Sequence, residues 1–446
     1  MLRRRLKAEH LKGHGKQENR RKSIFSKRRI HSTLCSYEKR NGMGNWSDLD
    51  EDILRLIIDK FWTIEDIVCF GAVCQSWRSV SVEKRQQQQQ LCPWLMLAER
   101  EGSDRRGFYS LSTQKVYHMN LPGARGRRCW FSHGWLITFG VDLEMHLLNP
   151  FSQVQIPLPP QSTLPHQYSP ESKFSSPEEL LKDFIRKVVL SSRPSLSVKT
   201  THCEANEDEK CVIMAISSKF NTLAFSRLGD KVWTAIEGEI AFRDTIYFKG
   251  QFYGVHCSGR LFICDICSPQ PKTIEFSSSP LGILKYDNSF LVESLGELFM
   301  VGQEIHDDFD LEEDNEDYLD DDYSDSGEDI DNYSDLDEYP SGYGTTKGFD
   351  VYKFNFDNRK WMQVKSLENC AFFVGNNTSL AIFPSNQYPG CEPNCIYFTD
   401  SSDQGSYYET SGHDMGVFRM DTRKIQPHYV GLDIFSRICN PLWVGL

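Results

Sequence analysis

The segment Trp46–Arg78, reading WSDLDEDILRLIIDKFWTIEDIVCFGAVCQSWR, constrains this chain more than any other stretch. Its apolar residues fall at Ile53, Leu56, Ile57 and Phe61, then at Ile64, Ile67, Val68 and Phe70. Intervals of three and four place them as stripes on short helices. Thr63, Glu65, Asp66 and Gly71 punctuate the stripes. So small a piece cannot enclose all those side chains by itself, which implies a partner surface. The longer C-terminal part of the chain has a different character and must fold separately.

Beyond the short polar run Gln86–Gln90, read as a linker or helix tail, the chain breaks into β-rich segments separated by turns. His133–Phe139 is one strand. Ile246–Val255 is a hairpin of two aromatic strands about Lys249-Gly250, where glycine permits a positive φ. Phe290–Ser294 pairs with Glu297–Val301, and Phe349–Phe354 pairs across Asp357-Asn358 with Lys360–Val364. Helical periodicity is confined to Glu178–Val189. Comparable elements (Leu223–Phe225, Tyr247-Phe248, Leu291-Val292) recur imperfectly, the last two at roughly 45 residues, near the spacing of propeller blades. A β-sandwich accounts less well for so many strands over this length.

Within the helical segment, Leu49, Asp52, Ile53, Leu54, Ile57, Asp66, Val73, Cys74, Trp77 and Arg78 follow the order of an F-box. That family's pattern runs Leu-Pro-x-Asp-Leu-Leu, a Leu/Ile-rich helix, then Val-Cys-x-x-Trp-Arg, and the chain resembles it closely at Val73–Arg78. It departs at Asp50, which stands in place of proline. Proline suits a first helical turn through its preset φ, but aspartate is also favourable there through the helix dipole, by about 0.3–1 kcal/mol. Ser132–Pro160, Phe248–Val255, Phe290–Ser294, Lys360–Leu367, Gly390–Asp400 and Asp414–Tyr429 resemble, in order, plant F-box proteins with a KIB-type β-propeller. The resemblance implies a small all-α F-box module followed by an all-β propeller. It also implies a substrate receptor of an SCF-type ubiquitin ligase, the F-box docking on the SKP adaptor (and through it cullin) and the propeller presenting a target protein. The residues it assigns to the adaptor are Leu49, Leu54, Ile57, Ile67, Val73, Cys74 and Trp77.

Charge divides the chain sharply. Residues 1–42 hold fourteen Lys and Arg against three Glu, clustered at Arg3–Arg5, Arg20–Lys22 and Lys27–Arg29. These are read as a nuclear-import signal or nucleic-acid contact, a transit peptide, or an upstream extension if Met43 is the natural start. Between Glu304 and Glu338 there are nineteen Asp and Glu and no Lys or Arg. Both extremes are expected to be disordered. Ser326 and Ser334 each precede an Asp by three positions, a setting for an acidophilic kinase. The expected organisation is a basic tail at 1–43, the F-box at 44–85, and a propeller at 90–440 with an acidic loop at 304–345.

Chemistry-bearing clusters are weak. Cys264 and Cys267 form a CxxC, and Cys391 with Cys395 a second pair. Three-residue spacing along a strand points two side chains to opposite faces, a poor start for a metal that needs four converging ligands. Fourteen cysteines outside any small secreted frame read as reduced core thiols. His133 and His256 stand alone, Trp135 and Asn149-Pro150 read as core and turn, and no phosphate-cradling glycine loop occurs. No apolar run of 18 residues and no signal-peptide core is present. The expectation is a non-catalytic adaptor of nucleus or cytoplasm, without cofactor or metal, membrane or nucleic-acid partner. A scaffold with a degenerate F-box and a propeller hydrolase are the rivals.

Overall fold

Three helices open the computed structural model, which describes residues 46–446 except 61–63, 72, 88–92, 101, 166–175, 195–210, 280–285, 307–344, 385–389, 400–413, 432–435, 437 and 446. The basic tail, Met43, Ser326 and Ser334 therefore lie outside the described residues. The helices are α1 (Glu51–Ile58), α2 (Ile64–Gly71) and α3 (Gln75–Gln87). Asp50 sits one position outside α1 rather than in its first turn. Its carboxylate accepts a hydrogen bond from the Asp52 N–H at 2.9 Å. An N-cap serves the same end that proline serves by rigidity, satisfying a donor the helix leaves unpaired.

Six small sheets come next in the chain and form a six-bladed propeller. The second blade runs Arg127–Ser132, Trp135–Gly140, Met145–Leu148 and Gln155–Pro157; the third runs Ile185–Leu190, Val212–Ser217, Thr222–Arg227 and Thr234–Ala235. The fourth runs Phe242–Phe248, Gln251–His256, Leu261–Asp265 and Lys272–Ser277; the fifth runs Asn288–Ser294, Glu297–His306, Thr345–Asn355 and Lys360–Val364. In each, the first strand in the chain is innermost. The first blade is composite: Trp94–Met96, Arg105–Ser110 and Lys115–Asn120 are joined by the last strand of the chain, Leu442–Val444. Trp94 pairs with Val444, Leu95 with Trp443 and Met96 with Leu442, so the two ends of the domain close the ring. The sixth blade departs from the pattern. Ala371–Val374 runs parallel to Cys395–Phe398, and Leu380–Ile382 folds back beside it to become the innermost strand.

Six apolar clusters fill the six seams between neighbouring blades. Alternation along one strand feeds two seams: Trp130 packs toward the third blade, Cys129 and Phe131 toward the first. Inner strands are covered on both faces, so their centres (Cys129–Phe131, Val188–Leu190, Phe290–Val292) are short apolar runs without polar alternation. Three two-residue turns link inner to second strands: His133-Gly134, Lys249-Gly250 and Leu295-Gly296. Their φ values of 49° and 82°, 47° and 86°, and 52° and 74° match the right-handed strand twist.

Polar groups cross the seams as well. The Lys187 Nζ of the third blade meets the Asp244 Oδ1 of the fourth at 2.5 Å. Asp244 also accepts from the Thr245 N–H at 2.6 Å and from the Leu291 N–H of the fifth blade at 2.8 Å. One carboxylate thereby ties three consecutive inner strands. Burial pushes the acid upward and the amine downward, each countered by the other's charge.

Four sequence expectations change in detail. The helix expected over Glu178–Val189 ends at Phe184, and Ile185–Leu190 is the innermost strand of the third blade. Enclosure of Ile185, Val188, Val189 and Leu190 on both faces outweighs the local helical spacing. His133 belongs to a turn, and its strand starts at Trp135. Tyr247 and Leu291 occupy inner strands of adjacent blades, but Leu223 lies on a third strand, so one of the two intervals was no blade repeat. The strands flanking the acidic segment run to His306 and from Thr345, longer than their apolar centres suggest.

A candidate docking surface

The three helices share a core of Leu54, Ile58, Ile67, Phe70 and Val80, with Leu49, Ile57 and Trp77 packed at its edge. The Phe70 and Trp77 rings pack at a tilt of 37° with centroids 4.4 Å apart. Gly71 lets α2 approach α3: a Cβ there would lie 2.6 Å from the Ser81 Oγ, which donates to the Ile67 carbonyl at 3.0 Å. Trp77 Nε1 donates to the Trp46 carbonyl at 3.0 Å, and Ser76 Oγ to the Ser47 carbonyl at 3.2 Å, strapping the entering chain to α3. Arg55 reaches Glu51, Asp52 and, on α3, Glu83, while Lys84 pairs with Asp59. These contacts make a small rigid platform.

What the platform leaves uncovered is informative. Five of the eight residues of α1 are Ile or Leu. At about 100° per residue they span an arc of about 200°, wider than one packed stripe requires. Leu54 and Ile58 take the inner half of that arc and are fully buried. Ile53 and Leu56 stand on the outer half, 46% and 66% exposed, and Val73 in the α2–α3 turn is 53% exposed. Large aliphatics left in water on a braced helix make this face the candidate docking surface.

The seven residues assigned to adaptor contact separate into two groups. Leu54 and Ile67 are enclosed and hold the helices to one another. Leu49, Ile57, Cys74 and Trp77 are half-buried, and Val73 is open. The Ser76 hydroxyl, 3.3 Å from the Cys74 Sγ, holds that thiol below its ordinary range. Ile53 and Leu56, both exposed, are not among the seven residues assigned from the sequence. The signal was present, because α1 carries more aliphatics than one inward face can use.

The other candidates disperse. Cys264 is buried and Cys267 exposed, while Cys391 and Cys395 both enter the seam between the sixth and first blades. His256 bonds locally to Ser258 at 2.7 Å. Among the described residues, no group of three or more His, Cys, Asp or Glu converges to hold a metal ion, and no helix is long and apolar enough to cross a membrane.

Comparison with known proteins places these features. The F-box protein SKIP23 of Arabidopsis thaliana is 25% identical over 410 residues, covering 86% of this chain and 91% of that protein. F-box protein At2g17036 of the same plant is 25% identical over 403 residues, covering 86% and 90%. Matches of that extent exceed the propeller and reach into the helices, so the homology is distant but full-length. Among solved structures, the WD40 domain of SCAP from fission yeast aligns over 61% of this chain and 53% of that one, at 9% identity and a TM-score of 0.25. That likeness is too loose to carry an argument. Residues 108–419, spanning strands of all six blades, match the KIB1-4 beta-propeller family, and the chain belongs to it.

Proposed function

We propose that this chain is the substrate-recognition subunit of an SCF-type ubiquitin ligase, its helices docking on a SKP adaptor and its propeller holding the target protein. One observation carries the reading: α1 keeps Ile53 and Leu56 in solvent although Leu54 and Ile58 already secure it to the other helices. Its distant relatives are F-box proteins, which supports the same partner. The contact set is Ile53, Leu56 and Val73, with Leu49, Ile57, Cys74 and Trp77 at its margin. Leu54 and Ile67 act indirectly, by holding the platform in shape. The chain supplies no reacting group of its own. It contributes proximity, keeping a target's lysines near a charged conjugating enzyme. The site of action is the nucleus or cytoplasm.

The test is a pull-down of the full chain with a purified plant SKP adaptor. An Ile53→Asp, Leu56→Asp double variant should weaken capture more than about 100-fold, because central apolar anchors cost about 2 kcal/mol or more apiece. Its melting temperature should stay that of the wild type. Leu54→Asp should lose capture together with helical circular dichroism. Undiminished binding by the double variant would overturn the assignment of this surface. Failure of the wild type to bind, where an established F-box protein does, would overturn the ligase reading and favour a scaffold.

A further inference from the structure

The seam between the fourth and fifth blades reaches the surface as an aromatic cluster, with half-buried Phe276 and Phe356 at its edge. The Phe356 centroid is 5.7 Å from that of Phe248 and 6.1 Å from that of Phe276. Two cations cover these rings. The Lys249 Nζ stands 4.9 Å from the Phe248 centroid and 5.4 Å from that of Phe356. The Arg359 Cζ stands 4.9 Å from the Phe276 centroid. Both cations occupy turns at one end of the propeller. Lys249-Gly250 closes the first hairpin of the fourth blade, and Leu295-Gly296 the matching hairpin of the fifth. Arg359 lies in the turn after Asn355, which comes level with Glu297 because Lys353 pairs with Phe299. Leu295, at the neighbouring turn, is 77% exposed.

Elsewhere, cations over rings are engaged by acids. Arg260, over Phe262, holds Glu239 and Glu275, and Arg423, over Phe418, holds Asp350. Among the described residues, Lys249, Arg359 and the adjacent exposed Lys360 meet no carboxylate. The acids on these turns and strand ends are few. Glu297 pairs with Lys353 at 3.6 Å and Glu293 accepts from the Gly296 N–H at 2.8 Å, leaving Asp357 to offset three cations. A cation already held in one place loses less conformational freedom on meeting an anion, so Lys249 and Arg359 are preorganised donors.

We propose that this end of the fourth and fifth blades holds an acidic peptide segment of the target, its anionic groups on Lys249, Arg359 and Lys360 and an apolar side chain against Leu295. The assignment rests on the reading above that the propeller holds a target protein. Nucleic acid fits less well. Base stacking needs open ring faces, which the cations cover here, and a phosphate backbone calls for a longer basic track than three side chains.

The test displays random peptides on phage against the immobilised full-length protein, then measures a selected peptide in solution by fluorescence anisotropy. The selected sequences should be rich in Asp and Glu, and their binding should weaken as salt rises. A Lys249→Asn, Arg359→Asn double variant should bind the peptide at least about 10-fold less tightly, as loss of hydrogen bonds to charged groups implies. Asparagine suits the positive φ of 47° and 53° at these positions, so the melting temperature should hold. A Lys249→Glu, Arg359→Glu variant should select basic peptides instead. Exchanging glutamate for phosphoserine in the selected peptide distinguishes a carboxylate segment from a phosphorylated one by which binds tighter. Neutral or basic sequences from the wild type, no selection at all, or equal binding by the asparagine variant would overturn the proposal. So would retention of oligothymidine in place of peptide. Capture of the SKP adaptor is measured on the same preparations and should be unchanged in both variants. Adaptor capture without acidic selection refutes this surface alone, whereas loss of capture by the wild type refutes the ligase reading.

Discussion

Replacing Lys187 with methionine isolates the polar tie at the centre of the propeller. The substitution keeps the length of the side chain and removes the ammonium that lies 2.5 Å from the Asp244 Oδ1. Asp244, 1% exposed, then keeps only the Thr245 and Leu291 N–H groups. Breaking a buried pair from one side costs about 3–5 kcal/mol, because the remaining charge stays desolvated. Unfolding entropy of about 2 cal/mol/K per residue, over roughly 350 residues, converts this to a loss of about 4–7 °C in melting temperature. The measurement is differential scanning calorimetry on the wild type, Lys187→Met, Asp244→Asn and the double variant. Asparagine retains an acceptor for the two N–H groups without a charge, so the double variant should recover half or more of the loss. Arg125→Met, which opens a solvent-exposed pair with Asp104, serves as the control and should change stability by less than about 1 kcal/mol. In Lys187→Met alone, the folded state holds a proton on Asp244 more readily than the unfolded chain does. Its deficit should therefore shrink as pH falls from 7 towards 4. A Lys187→Met variant as stable as the wild type, with no such pH dependence, would refute the reasoning.

Two further outcomes rest on individual residues. Gly302→Ala should cost about 1–3 kcal/mol in chemical denaturation, because a Cβ there would sit 2.6 Å from the Tyr286 ring. Displacing that ring also disturbs the Tyr286 hydroxyl, which donates to the Asp350 Oδ2 at 2.6 Å, so Tyr286→Phe should reproduce only part of the loss. His428 packs on Trp443 with its Nδ1 enclosed, and burial brings it down to about 4 from the usual 6.5. The folded chain thus resists a proton the unfolded chain accepts. Stability from this source is complete above pH 6.5 and declines as pH falls towards 4, by up to about 3 kcal/mol. Denaturant midpoints across that interval should fall less steeply for His428→Leu.

Local chemistry made much of the fold legible. Gly250 announced a tight hairpin because a two-residue turn needs positive φ, and its strands, like those either side of Leu295-Gly296, paired as their apolar runs implied. The Val73–Arg78 motif and the α1 stripe announced a helical module in need of a partner. Where local signals pointed one way and burial another, burial won. Glu178–Val189 has helical spacing, yet its second half lies between two other blades and is drawn into a strand. The sixth blade's parallel pair left no local trace, since the backbone of Ala371–Val374 carries the same apolar signature whichever neighbour it meets.

The division of labour within α1 shows the same boundary at the candidate site. Sequence alone determined that its isoleucines and leucines exceed what one helix face can bury, so some must hold the module and some must be left over from that packing. Which are which was decided by α3, whose Val80 encloses Leu54 and Ile58 and leaves Ile53 and Leu56 in water. The ring has the same origin. Strand-forming residues, turn glycines and a repeat of small sheets are properties of neighbours in the chain. Closure of six blades joins Trp94–Met96 to Leu442–Val444. Such contacts between distant residues depend on the twist and packing of all six sheets together, and no window of sequence contains them.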